Sequence, residues 1–364
     1  MTLIKTAALL LIITLIFVFL IFGKTLLIPF IIAIMIWYLI NAFSHWFNRL
    51  KFVRDNFPGW IILAFSAAVI ALIIILVGGL IAENAKQMYT ELPKYQKNLL
   101  QLIERFSLII NYDISRHFKF SNNISDLLKQ IDFASIIKAV LNTLSGIAGN
   151  TFLIIIYVLF LLLEQAVFPK KLRALFTYEE HYRRSQEIIE HINEAIRAYF
   201  KVKLTVSLIT AITSYILMAL VGVDFAVFWA FLIFILNFIP NIGSLIATIF
   251  PATLALVQFN ESFTPFIIIL VGVGAIQIIV GNLIEPRMMG SSLNISSLVV
   301  ILALTLWGAI WGIAGMILCV PITVILMIIL SQFSATRPVA ILLSEKGELF
   351  LKLNKIYRAA DEEE

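Results

Sequence analysis

Charged side chains are scarce in this sequence. Lys, Arg, Asp and Glu together make up 13% of 364 residues against 61% apolar types, a balance that excludes an ordinary soluble domain. Cysteine is scarcer still. The single Cys319 lies in an apolar run, so no disulfide framework and no cysteine-based metal site is available. The four histidines, His45, His117, His181 and His191, all fall in predicted loops, and neither an H-E-x-x-H pair nor a P-loop occurs. Zinc hydrolysis and a built-in ATP motor are therefore not expected, a serine nucleophile has no histidine at membrane depth, and no cofactor is called for. The net charge of +5 is scattered among loops without a clustered, aromatic-interleaved patch, which speaks against nucleic acid as a partner.

Long apolar runs are what the sequence has in abundance. Charge-free windows cover residues 6–23, 25–44, 56–82, 139–163, 204–223, 225–260, 262–284 and 288–336. A helix needs about 20 residues to cross ~30 Å of hydrocarbon, so six windows are single spans. The windows of 36 and 49 residues would be roughly 54 and 74 Å long as straight helices, and each must fold back on itself. The expected fold is an all-α polytopic membrane bundle of about eight hydrophobic segments, with one or two broken or re-entrant helix pairs in the C-terminal half. Lys5 followed by an apolar run to Gly23 begins as a signal peptide does, but no small-residue cleavage site follows, so an uncleaved first span is expected.

Charge asymmetry gives the orientation. An inward amino terminus places 18 of the 27 basic residues in the cytoplasm and nine outside, so both termini are expected there. Four regions follow: N-terminal spans over 1–82, an extracytoplasmic amphipathic segment over 83–148, a C-terminal transmembrane region over 149–333 with a cytoplasmic link at 169–203, and a cytoplasmic tail over 334–364. In the second region Met88, Leu92, Tyr95, Leu99, Ile103, Phe106 and Ile110 recur at helical spacing, and Ile124 to Leu144 nearly repeat it, with a break around Asn111 to Asn123. Such a pair packs on the membrane domain, or forms an oligomer contact or an outer gate. Within the link, Ile188, Ile189, Ile192, Ile196 and Tyr199 share one side of a helix that runs into the next span.

The functional signal is the few polar groups left inside the apolar third. From Asp224 to Arg337 the only charged residues are Asp224, Glu261, Glu285, Arg287 and Arg337. A carboxylate at the centre of a membrane helix costs roughly 2.5–3.5 kcal/mol, so Glu285 belongs at a helix end or in a wet cavity. Leu236 to Ser244 breaks its window with Asn237, Pro240, Asn241, Gly243 and Ser244, and irregular backbone at membrane depth is tolerated only when buried in protein or lining a cavity. The alternative is an ordinary cytoplasmic turn. Gln277, Asn282, Glu285 and Arg287 form a second polar set, in which Gln277, Gly281 and Glu285 share a face if the helix continues. Gly274 and Gly281 would then admit another backbone. Glu285 and Arg287 are either an interfacial charge pair or a gate, and Glu164 is a further candidate proton carrier. Gly308, Gly312 and Gly315 favour close packing or a tight bend, with Trp307 and Trp311 either anchoring the interface or lining a cavity.

Asn237-Phe238-Ile239-Pro240, Ile242-Gly243, Gly281-Asn282, Glu285-Pro286, Met289-Gly290, Leu298-Val299-Val300, Gly308, Gly312 to Gly315 and Pro321 resemble the AI-2E transporter family, the autoinducer-2 exporter-like or PerM-like permeases. The match is specific from about Tyr199 to Leu330; before residue 180 only the order of spans and the long third loop agree. The resemblance implies a bacterial inner-membrane permease with both ends cytoplasmic, assembled as a homo-oligomer, a pentamer. Family members are described as exporters of the furanone autoinducer-2 or as Na⁺(Li⁺)/H⁺ antiporters, so the implied partners are a small polar solute or a monovalent cation and proton, besides the lipid bilayer. Phe200-Lys201-Val202-Lys203 departs from the family's glycine-containing entrance to this span. The reading is a secondary permease whose path runs through Asn237, Pro240, Asn241, Gly243, Ser244, Gln277 and Asn282, with Glu285, Arg287 and Glu164 in gating or coupling. Cation/proton exchange, a channel-like permease and a non-transport membrane scaffold are the alternatives.

Overall fold

The computed structural model describes residues 2–109, 149–289 and 294–347. Within them the backbone is helical throughout, apart from short turns and one isolated bridge between Ile295 and Ser344. This is what a bilayer dictates, because a helix satisfies every backbone donor and acceptor within its own segment. Six helices are long and apolar enough to cross a membrane, and shorter apolar helices accompany them. The chain is an all-α membrane bundle.

Helices α1 (Thr2–Phe22) and α2 (Lys24–Phe47) meet at Gly23, and the short α3 (Lys51–Asn56) leads into α4 (Gly59–Ile109). α4 is a single helix of 51 residues that passes the expected boundary at 82/83 without interruption. Glu83, Asn84 and Lys86 change the polarity of the helix but are not helix breakers. Its amphipathic face is used as the spacing predicted at Met88 and Tyr95, which are buried, and at Leu92 and Leu99, which pack on the same core; Leu102 is buried beside the expected Ile103. The predicted break at Asn111 to Asn123, the second amphipathic run and the acidic tail lie outside the described residues.

After α5 (Thr151–Leu175), α6 (Glu179–Val221) runs 43 residues from the link straight into the bundle. α2 packs on α5 through Ala33, Ile40, Ile154 and Val158. Trp37 Nε1 donates to Gln165 Oε1 at 2.8 Å across this contact, and Tyr38 Oη donates to Asn193 Oδ1 at 2.6 Å, joining α2 to α6.

Both overlong windows fold back. The first forms α7 (Ala226–Leu236) and α8 (Ile242–Gln258), joined by a turn in which Asn241 takes a φ of 59°. Gly243 closes this turn, since a Cβ there would lie 1.8 Å from the Leu236 carbonyl oxygen. α9 (Thr264–Ile279) then continues through a π-helical turn (Val280–Ile284) into α10 (Glu285–Met289). The last window contains α11 (Ser297–Leu330), which reverses at Gly312, where φ is 60° and ψ −138°. A Cβ on Gly315 would lie 1.9 Å from the Trp307 carbonyl oxygen, which is possible only if the two arms lie against each other. The three glycines therefore make a bend. α12 (Arg337–Leu343) follows, and its end is tied to the start of α11 through Ser296 N donating to Leu343 O at 3.0 Å.

The two hairpins open toward opposite ends of the bundle. The base of the first sits at the C-terminal end of α6, where Gln258 bonds the Asp224 N–H and the Gly222 carbonyl, both at 2.8 Å. The C-terminal half of α4 clasps the same base: Tyr95 Oη donates to Asp224 Oδ2 at 2.8 Å, and Arg105 Nη1 to Asn260 O at 3.0 Å. The base of the second lies near the start of α6, where Arg184 Nη2 donates to Gln332 O at 3.1 Å, and its tip is held by Trp311 Nε1 on Leu20 O at 2.9 Å. Phe238 and Ile239 from the first turn share one core cluster with Trp307, Trp311, Tyr199 and Phe200.

Candidate functional site

α6 carries a polar stripe through the bundle. Tyr199, Lys203, Ser207, Thr210 and Ser214 follow one another at spacings of four, four, three and four, which keeps them on one helix face over ~22 Å. All five are buried, with Ser207, Thr210 and Ser214 at 0% exposure. Thr210 is content locally, its hydroxyl donating to Val206 O at 2.8 Å. The others face different partners.

Lys203 is the centre of the arrangement. Its ammonium forms an ion pair with the Glu285 carboxylate, the two side chains being 8% and 17% exposed. It also donates to the Asn237 carbonyl at 3.3 Å, and Asn237 Nδ2 donates to Ser207 Oγ at 3.2 Å. Three elements distant in sequence are thus tied together: α6, the turn of the first hairpin and the exit of α9. Lys203 is buried and Glu285 partly so; removing the carboxylate strands the ammonium at a cost of up to about 3–5 kcal/mol, so the link favours this meeting of the three elements.

The π turn explains how Glu285 reaches α6. Eight residues of ideal α-helix would leave Glu285 about 80° around from Gln277. A π turn inserts one extra residue, returning Glu285 to within about 20° of the Gln277 face. The extra residue shows in the backbone, where Glu285 N donates to Val280 O. Gln277 itself is buried, and its Nε2 has no partner among the described residues. Tyr199 Oη and Ser214 Oγ are in the same condition. A buried polar atom without a hydrogen bond costs about 1–3 kcal/mol, so such groups mark places where water or a solute is accommodated.

Of the residues singled out from the sequence, Asn237 and Glu285 join this cluster, and Gln277 lies on the same side of α9. Pro240 and Gly243 build the hairpin turn, and Ser244 Oγ closes it on Asn241 O at 2.9 Å. The side chain of Asn241 is exposed, as are those of Asn282 and Arg287. Arg287 forms no ion pair among the described residues, so the alternative of a Glu285–Arg287 pair gives way to the Lys203–Glu285 pair. Glu164 stands apart on α5, paired with Lys171 at 2.8 Å on an exposed surface. Nor does Gly281 admit another backbone within this chain, because a Cβ there would meet nothing within 4 Å; at Gly274 it would meet only Thr248 Cγ2, at 3.7 Å. Ser207 and Ser214 were not singled out, and Tyr199 and Lys203 were named only for the link helix and its entrance and not as site residues, although the spacing of all four was readable.

A bundle of membrane-crossing helices enclosing two oppositely opening hairpins and a buried polar stripe defines a polytopic helical membrane protein with irregular backbone held inside it. Residues 9–335 match the model of the AI-2E family transporter, and the chain belongs to that family, whose members are transporters. It is 30% identical over 331 residues to the AI-2 transport protein TqsA of Escherichia coli (strain K12), covering 89% of this chain and 91% of the relative. A putative transport protein of Haemophilus influenzae is 32% identical over 298 residues, 79% of this chain and 82% of the relative. The putative transport protein YhhT of Escherichia coli (strain K12) is 29% identical over 309 residues, 84% of each chain.

Proposed function

We propose that this protein is a secondary permease of the bacterial cytoplasmic membrane that exports a small, polar, uncharged molecule resembling autoinducer-2, with both termini in the cytoplasm. The observation that carries the reading is three buried atoms within the membrane-spanning part of α6 and on α9 that have no partner among the described residues, Tyr199 Oη, Ser214 Oγ and Gln277 Nε2. They are hydroxyl and amide groups, suited to the hydroxyl and carbonyl oxygens of a furanone. The carboxylate that reaches this stripe, Glu285, is partly buried and already engaged by Lys203, which argues against it as a free sodium or proton carrier. The name of the relative TqsA agrees with such a solute.

In this reading the first hairpin and the α9 exit form one wall of the path and α6 the other, and the Lys203–Glu285–Asn237 link holds that path closed toward the end where α6 enters the membrane. Export requires Asn237 to part from Lys203 while the Lys203–Glu285 pair persists. Proteoliposomes containing the purified protein and loaded with autoinducer-2 should release it faster than protein-free liposomes, and Gln277→Ala should slow the release without loss of folded protein. Absence of release, together with sodium flux that collapses an imposed proton gradient, would overturn the reading in favour of cation/proton exchange.

A further inference from the structure

We infer that Lys203 and Glu285, acting as a pair, set the charge class of the solute this path accepts, with Lys203 as the specificity-determining residue. The inference rests on the transport reading above and adds a filter to it. The pair contributes one positive and one negative charge to the same small region, on α6 and α9, with Asn237 O as the further partner of the ammonium. Lys201 and Arg197 on α6 and Arg287 on α10 are all exposed, so none of them supplements the pair from within the bundle. The polar side chains aligned with the pair, Tyr199, Ser207, Thr210, Ser214, Asn237 and Gln277, are neutral, and the buried Cys319 thiol packs in the same cluster as Tyr199.

The filter follows from electrostatics. An ion that leaves water for a poorly solvating interior needs an opposite charge waiting for it. A sodium ion could use Glu285 only by displacing Lys203, and a small anion could use Lys203 only by displacing Glu285. In either case one buried protein charge would be stranded. An uncharged solute can engage Tyr199 Oη, Gln277 Nε2 and Ser214 Oγ in turn along the ~22 Å stripe while the pair stays intact. The wild-type path therefore rejects both signs of charge, and breaking the pair on one side should open it to one sign only.

The test reads ion entry, independently of which neutral solute is carried. Proteoliposomes containing full-length wild-type, Lys203→Gln or Glu285→Gln protein are exposed to labelled sodium or labelled methanesulfonate. Lys203→Gln leaves an unpaired carboxylate and is expected to admit sodium at least ~10-fold faster than wild type, the factor that ~1.4 kcal/mol of regained compensation yields. Glu285→Gln leaves an unpaired ammonium and is expected to admit methanesulfonate to a similar extent, with sodium unchanged. Equal leakage of both ions through either variant, or of neither ion through both folded variants, overturns the inference. The exchanged pair Lys203→Glu with Glu285→Lys keeps one charge of each sign and is expected to exclude both ions. It carries the test if a single variant does not fold, and entry of either ion through it counts against the inference. Release of autoinducer-2 without these ion effects would leave the export reading standing and remove the charge filter; the ion effects without release would do the reverse.

Discussion

Replacing Gly243 by alanine should open the first hairpin. The added Cβ would sit 1.8 Å from Leu236 O and 2.8 Å from Leu236 C, whereas real Cβ contacts essentially never fall below 3.0 Å. The obstacle is backbone, so no side-chain rotation relieves it and the two arms must separate by ~1.2 Å. Overpacking of this kind costs about 1–3 kcal/mol, and its upper end applies where backbone must move. The displaced Leu236 carbonyl also accepts the Ile239 N–H at 2.8 Å, a bond worth about 1 kcal/mol. Against this, the smaller entropy of the unfolded alanine chain returns about 0.4–1 kcal/mol. The net loss is about 3 kcal/mol, or roughly 4 °C in Tm on an unfolding entropy of ~2.1 cal/mol/K per residue. Thermal unfolding of the purified protein in detergent measures it, with Gly78→Ala as the control. A Cβ at Gly78 meets nothing within 4 Å, so that variant should melt with or slightly above the wild type. If Gly243→Ala melts with the control, the chain reversal does not depend on close approach of Gly243 to Leu236, and this account of the hairpin fails.

Three further outcomes are expected. Tyr199→Phe removes a buried hydroxyl that has no partner among the described residues, so Tm should rise, by up to the equivalent of about 1–3 kcal/mol, while autoinducer-2 release slows; a fall in both would show that the hydroxyl is structural. Trp311→Phe deletes the 2.9 Å bond to Leu20 O that fixes the second hairpin tip, costing about 1 kcal/mol and increasing hydrogen exchange at residues 309–315, and unchanged exchange would contradict the tether. Glu164→Gln breaks only an exposed pair with Lys171, so stability should change by less than ~1 kcal/mol and release should be unaffected; abolished release would return Glu164 to the path.

Much of the fold was legible because a bilayer leaves few alternatives. Charge-free windows marked the spans, and windows too long for one crossing had to reverse where proline or glycine weakened the helix. The chain does so, at Asn241 and at Gly312. The site was legible only in part. Energetic cost argued that Glu285 must lie at a helix end or in a polar environment, but not which residue would meet it. Lys203 stood at the edge of an apolar window among the link's bases, and its partners come from elements far along the chain, so local spacing carried no record of the contact. The periodicity from Tyr199 to Ser214 was available, yet hydroxyls in membrane helices usually satisfy themselves on their own backbone, as Thr210 does, and draw no attention. The π turn left no readable signature either, and it decides which way Glu285 points. Conversely, Asn282 and Arg287 stood out by chemistry while the helix turns both outward.

The unbroken run of α4 has a mechanical consequence. At 51 residues it is a rod of ~76 Å, and only ~30 Å of that can lie in hydrocarbon. The rest would extend past the hydrocarbon as a mast, its apolar face packed on the first hairpin and Tyr95 and Arg105 rigged to the feet of that hairpin. A lean of ~10° at the membrane surface would swing the end of a ~45 Å mast by roughly 8 Å, pulling those feet with it. Crowding or tension in the surrounding aqueous space would thereby reach the hairpin as leverage, with no ligand bound.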